Sequence, residues 1–98
     1  MIYLEVSSQE QFDDAVVAAE PNQVIVITGS RENIAAYNVK NTIEVRDGIL
    51  IAIKCHLVVA LNDAKVLAHS STVYANDNSI ILNAANSRCL LYDSAQQL

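Results

Sequence analysis

The chain has 98 residues, 52% of them hydrophobic and 17% charged, and a formal charge of -5. That length holds one hydrophobic core, and the apolar share excludes a disordered polypeptide. With only six Lys and Arg and a pI near 4.7, the electrostatic footprint of a nucleic-acid binder is missing. The opening MIYLEVSSQE has no basic start or long apolar stretch, and apolar runs such as Ile49 to Ile53 are a strand's length, so neither a leader nor a membrane span is expected. Two cysteines, Cys55 and Cys89, lack CxxC spacing and suit free thiols in a reducing cytoplasm.

In chain order, Ile2-Tyr3-Leu4-Glu5-Val6 alternates as a strand, with Ile2, Leu4 and Val6 on one face. Ser8 and Gln11 form the S-x-x-Q version of a capping box, in which each side chain satisfies an orphaned backbone N–H of the first turn. Phe12, Ala15, Val16 and Ala19 then make one apolar stripe of a helix that ends before Pro21, with Glu10, Asp13 and Asp14 opposite. Val24 to Thr28 follows as a strand buried on both faces, stopped by Gly29-Ser30. Residues 1–30 carry five acids and no Lys or Arg, whereas residues 31–98 carry six acids and six bases. The whole net charge therefore belongs to this strand-helix-strand cap.

Residues 31–41 read as a connection, and residues 42–98 as a repeat. Inward positions are expected at 43, 50, 58, 66, 73, 80 and 89, in steps of 7, 8, 8, 7, 7 and 9. Such a step is too short for a helical repeat and equals a short strand plus a turn. Asn62-Asp63, Ser70-Ser71, Asn76-Asp77-Asn78, Ala84-Ala85-Asn86 and Asp93-Ser94 supply turn residues, most of them types that tolerate a left-handed backbone, which explains how a chain with two glycines makes so many turns. Val over Val and Ala over Ala is what a parallel stack at about 4.8 Å spacing requires. The expected fold is mainly β: a single-domain parallel β-solenoid with one N-terminal amphipathic capping helix, and two or three strands per coil.

The opening strand, the helix Gln9 to Ala19 and Val24-Ile25-Val26-Ile27 together resemble the N-terminal cap of right-handed parallel β-helix proteins, and AKVLAHSSTVYANDNSIILNAANS resembles the V-x-A repeats of short bacterial and phage β-helices. The resemblance implies the fold. It transfers no catalytic residue, because the long coils that carry site residues in large β-helix enzymes have no counterpart here.

Cys55-His56 with His69 contains zinc-ligand and nucleophile chemistry, but without CxxC or HxxxH spacing these residues read as surface positions at strand edges, and Cys89 reads as a small core side chain. Neither a catalytic set nor a metal or cofactor site is expected. The remaining candidates are surfaces. Glu10, Asp13, Asp14 and Glu20, with Tyr74, form the expected partner-binding set, suited to a protein with a basic surface rather than to nucleic acid or membrane. No second amphipathic helix follows the last repeat, so Leu91, Tyr92 and Leu98 are the expected contacts of a homodimer. The functional expectation is a cytoplasmic, non-enzymatic protein-binding module of the kind found among phage or mobile-element inhibitors of bacterial defence, including anti-CRISPR proteins. Alternatives are a structural, tail-fibre-like oligomerisation piece and, behind it, a carbohydrate-active β-helix.

Overall fold

A computed structural model describes residues 3–98. Eleven strands and one helix follow in the order β1 (Tyr3–Val6), α1 (Gln9–Ala18), β2 (Val24–Ile27), β3 (Ile34–Tyr37), β4 (Thr42–Val45), β5 (Ile49–Ile53), β6 (Leu57–Ala60), β7 (Lys65–His69), β8 (Thr72–Ala75), β9 (Ile80–Ala85), β10 (Arg88–Leu91) and β11 (Gln96–Gln97). Alternate strands fall into two parallel sheets, β1-β2-β4-β6-β8-β10 and β3-β5-β7-β9-β11. Each coil of the resulting β-solenoid therefore contributes two strands, one to each sheet. Ile2 of the expected first strand lies outside the described residues.

The register turns the sequence repeat into columns. In the first sheet Ile25, Ile43, Val58, Val73 and Cys89 stand in line, as do Ile27, Val45, Ala60 and Ala75. In the second, Ile34, Leu50, Val66 and Ile81 stand in line beside Ala36, Ala52, Ala68 and Ala84. From Ile25 to Ile81 these branched positions are fully buried, and the small Ala column lets the two sheets close on a narrow interior.

Two expectations are corrected. The stretch 31–41 is no mere connection: it contains β3, which starts the second sheet, with Ile34 and Ala36 inward and Ala35 and Tyr37 exposed. Polar neighbours on both sides and a strand of only four residues hide its period. The inward residue of β9 is Ile81, not Ile80, so the last two steps become 8 and 8. A register shift between Val66/Leu67 and their partners leaves Leu82 as an extra residue, and this β-bulge is what disturbed the apparent phase.

The helix occupies the place that a second-sheet strand would take in the first coil. Phe12 and Ala15 are buried in the core cluster, with Val16 and Ala19 packed against it, as the stripe requires. Gln9 fixes the helix to the end of the second sheet: its side chain accepts the backbone N–H of Ala35 at 2.7 Å and donates to the Ala35 carbonyl at 2.9 Å. A free strand edge is thus capped by one amide side chain. Ser8 Oγ accepts the Gln11 N–H, while Gln11 Oε1 accepts from Ser7 N at 2.8 Å, one residue earlier than in a strict capping box.

From β2 onward every reversal passes through a left-handed residue. Asn38, Lys54, Ser70 and Asn86 mark one corner at constant 16-residue spacing, and Gly29, Gly48, Asn62, Asp77 and Asp93 mark the other. At the second corner each coil is tied to the next: Asp47 accepts from Gly29 N, Asp77 from Asn62 N at 3.0 Å and Asp93 from Asp77 N at 3.3 Å. Asn62 reaches the Arg46 carbonyl. Asp77 both tolerates the conformation and satisfies an amide. Asp77→Ala should lower stability by about 1–2 kcal/mol in urea unfolding. Lys54 holds a left-handed φ of 54° while its Nζ lies 5.9 Å over the Tyr37 ring; Lys54→Asn relieves the first by roughly 0.5–1 kcal/mol and loses about as much from the second, so urea unfolding should show a net change below about 0.5 kcal/mol, and Lys54→Asn should be clearly stabilising only in a Tyr37→Ala background.

Candidate functional site

The fold sorts the charges of the repeat region by corner. Asp47, Asp63, Asp77 and Asp93 all lie on turns leading from the first sheet to the second, while Lys40, Lys54 and His56 lie on turns leading back, with Arg88 opening β10 just beyond. Residues 31–98, of zero net charge, are therefore unevenly charged across the solenoid, with Arg46 and Lys65 as the bases at the acidic corner; the linear sequence conceals this because the two corners alternate along the chain. Three of these aspartates already accept backbone N–H groups, so their first duty is structural.

On the outer face of the first sheet, Arg46 binds Glu44 at 2.8 Å and Glu5 at 3.6 Å. Glu5 and Glu44 are the two register neighbours of Val26. The guanidinium bridge thus runs across Val26, which accounts for an outward valine that is fully buried. All four residues of β2 are buried, as its unbroken apolar run leads one to expect.

The cap carries the candidate recognition face. Glu10, Asp13, Asp14 and Glu20 are all exposed, and among the described residues no Lys or Arg lies within ion-pair distance of them. Glu10, Asp13, Asp14 and Val17 share one side of α1, and Val17 is 89% exposed. Beside this face an open groove of about 490 Å³ lies between β1 and α1, lined by Leu4, Glu5, Asp14, Ala15 and Ala18, with Tyr3 at its rim. The edge of β1 away from β2 pairs with no described strand. Sequence reasoning found the acids but missed Glu5, Val17 and the groove, because these depend on how α1 leans on β1.

Tyr74, the aromatic of the expected partner-binding set, lies far from its acids: it sits in β8, four first-sheet strands from the cap strand β1, half-buried and edge-on to Tyr92 with ring centroids 6.4 Å apart. It belongs with Leu91, Tyr92 and Leu98 at the other end, where those three are exposed. The pairing of Tyr74 with Tyr92 was invisible in the sequence because it follows from the register that sets Leu90 beside Tyr74.

Cys55 is not a surface residue. It is buried at the inner side of a corner, where its N–H donates to Ser71 Oγ at 3.0 Å and its thiol lies 3.5 Å from the Ala36 carbonyl. Ser71 repeats the arrangement one coil on, its N–H donating to Ser87 Oγ. Cys55, Ser71 and Ser87 thus form a column of small side chains that accompanies the left-handed corner. His56 and His69 are exposed, and His69 Nδ1 lies 3.2 Å from Ser70 Oγ. Among the described residues no cluster of three metal-ligating side chains forms, and no helix is long and apolar enough to cross a membrane.

No family model, curated protein or solved structure matches the chain.

Burial pushes both thiols above the ordinary value of 9.0, Cys55 despite hydrogen bonds that act in the opposite direction. A raised folded pKa favours the protonated thiol, so its contribution is intact below the unfolded value and is lost as pH rises from about 9 through the folded value. Unfolding free energy should therefore fall above pH 9, and Cys55→Ala should remove part of that slope. At neutral pH iodoacetamide should label Cys89 well before Cys55, as mass spectrometry of the intact protein would show.

Proposed function

We propose that the protein is a non-enzymatic binding module that engages a basic segment of a protein partner through its N-terminal cap. The observation that carries this reading is the groove between β1 and α1. It joins an unpaired strand edge, an apolar floor of Leu4, Ala15 and Ala18, and the carboxylates of Glu5 and Asp14, with Glu10 and Asp13 alongside. A strand edge offers main-chain hydrogen bonds to an extended peptide, the floor accepts alternate apolar side chains, and the acids select Lys or Arg.

The narrower form of the reading makes this cap the part of a defence inhibitor that covers a partner's nucleic-acid-binding surface. The support is electrostatic: Glu10, Asp13, Asp14 and Glu20 are exposed and have no Lys or Arg within ion-pair distance among the described residues, while Glu5 is held by Arg46. Expression in a host with an active defence system should then restore infection by a targeted phage.

A fluorescein-labelled peptide alternating Arg and Val is the direct probe. Its anisotropy should rise on adding the protein, the affinity should fall steeply with salt, and the double variant Asp13→Lys, Asp14→Lys should bind at least tenfold more weakly. Binding that is absent, or equal in the double variant, would remove the cap from the account.

A further inference from the structure

The outer face of the first sheet carries an apolar patch that nothing covers among the described residues. Leu57-Val58-Val59-Ala60-Leu61 is an unbroken apolar run, the pattern of a parallel strand buried on both sides. In β2, which has the same pattern, Arg46 lies over the outward Val26 and the whole strand is buried. In β6 only the inward Val58 and Ala60 are buried, and Leu57, Val59 and Leu61 are half-buried on the outer face. By register Val59 stands between Glu44 and Tyr74, with Leu90 beyond Tyr74. The amides of Arg46, Leu61, Asn76 and Tyr92 each donate to the preceding strand of the sheet, which places these four side chains in a second outward row beside the first.

We propose that a second copy of this chain packs on this face, sheet on sheet, about a two-fold axis that runs parallel to the solenoid and between the two rows. Strands at the same level then run antiparallel at the roughly 10 Å separation of packed sheets. Each row lies over the other row of the copy. Arg46 stands over Glu44, Leu61 over Val59, Asn76 over Tyr74 and Tyr92 over Leu90, and the axis repeats every contact. These are an ion pair, two apolar contacts and a side-chain amide against a phenol, whose hydroxyl both donates and accepts. Farther from the axis Arg88, which has no carboxylate within ion-pair distance among the described residues, comes to the turn that holds Asp93 of the copy.

Charge selects both the axis and the face. An axis along the strands would lay the aspartate-bearing corner beside its own copy, and Lys54 and His56 beside theirs. The second sheet also has an apolar outer face, with Ile49, Ile51 and Ile53. There, however, α1 lies in the same layer, tied to β3, and an axis parallel to the solenoid would set Glu10, Asp13 and Asp14 against their own copies. On the first sheet the helix points away from the contact. Six strands at about 4.8 Å and a width of about five residues at about 3.3 Å make a footprint of roughly 450 Å² per copy before the corners are counted. The pair therefore buries on the order of 1,000 Å², the lower edge of a specific interface. This face lies across the molecule from the exposed side of α1, so the dimer and the cap reading fail separately.

Sedimentation equilibrium of the full chain, carried to high micromolar concentration, should give twice the 10.7 kDa mass. Val59→Lys gains Glu44 as a cross-strand neighbour and Leu61→Glu gains Arg46, so both variants should keep the wild-type circular dichroism spectrum. Each sets a charge against an apolar side chain of the copy and should weaken association at least tenfold. An equimolar mixture of the two variants should recover it, because the introduced ammonium and carboxylate then face each other on one side of the axis while leucine still meets valine on the other. Ile51→Lys, outward on the second sheet, should leave the dimer mass unchanged. A monomer at every concentration, undiminished association in both single variants, no recovery in the mixture, or an equal loss with Ile51→Lys would overturn the proposal.

Discussion

The whole molecule depends on making each coil reverse direction at the same two places. A two-strand coil of 15 or 16 residues leaves only a few residues per corner, and a right-handed backbone cannot turn that tightly without pushing its next strand off the stack. One left-handed residue per corner solves the geometry, at a cost of roughly 1–2 kcal/mol wherever the residue is not glycine. Asn38, Asn62, Asp77, Asn86 and Asp93 reduce that cost by their local hydrogen-bonding ability; Lys54 and Ser70 do not, and are held by the amide bonds that Lys54 N and Ser70 N donate to the His69 and Ala85 carbonyls of the next coil. Stacking therefore stabilises the corners, and the corners align the stack.

What lies inside the corners follows from the same constraint. Val39, Cys55, Ser71 and Ser79 are buried inside the corners, and every side-chain polar atom of the last three is bonded. Ser79 Oγ donates to the Asn76 carbonyl at 2.6 Å, and Ser71 Oγ to that of His69 at 3.0 Å. Burying these hydroxyls is tolerable because each is satisfied within its own turn.

A stack built this way has a direction and two unlike ends. One end is closed over half its width by α1, which turns a free sheet edge into the Gln9–Ala35 amide pair and leaves β1 open beside a groove with carboxylates on its wall. In the last described coil the inward columns continue as Cys89 and Leu91. The exposed helix face of the cap is acidic, with Arg46 held on Glu5 beside it, whereas the last described coil carries both Arg88 and Asp93.

Much of this was legible in the residues. The period of seven to eight, the paired Val and Ala positions, the Asn and Asp turns, the amphipathic stripe from Phe12 to Ala19 and the acidic face of the cap are local patterns, and local patterns are what strand alternation and helical spacing print into a sequence. Strand β3, the phase of Ile81 around the Leu82 bulge, the burial of Cys55 and the pairing of Tyr74 with Tyr92 were not, since each depends on which coil lies above or below. The same holds for Arg46 across Val26 and for the acidic and basic corners: residues a whole coil apart in the chain become neighbours at about 4.8 Å only once the coils stack. By itself the sequence determined the kind of coil and where it turns; the tertiary structure decided what each turn touches, because in a solenoid nearly every lateral contact is made to a neighbouring coil.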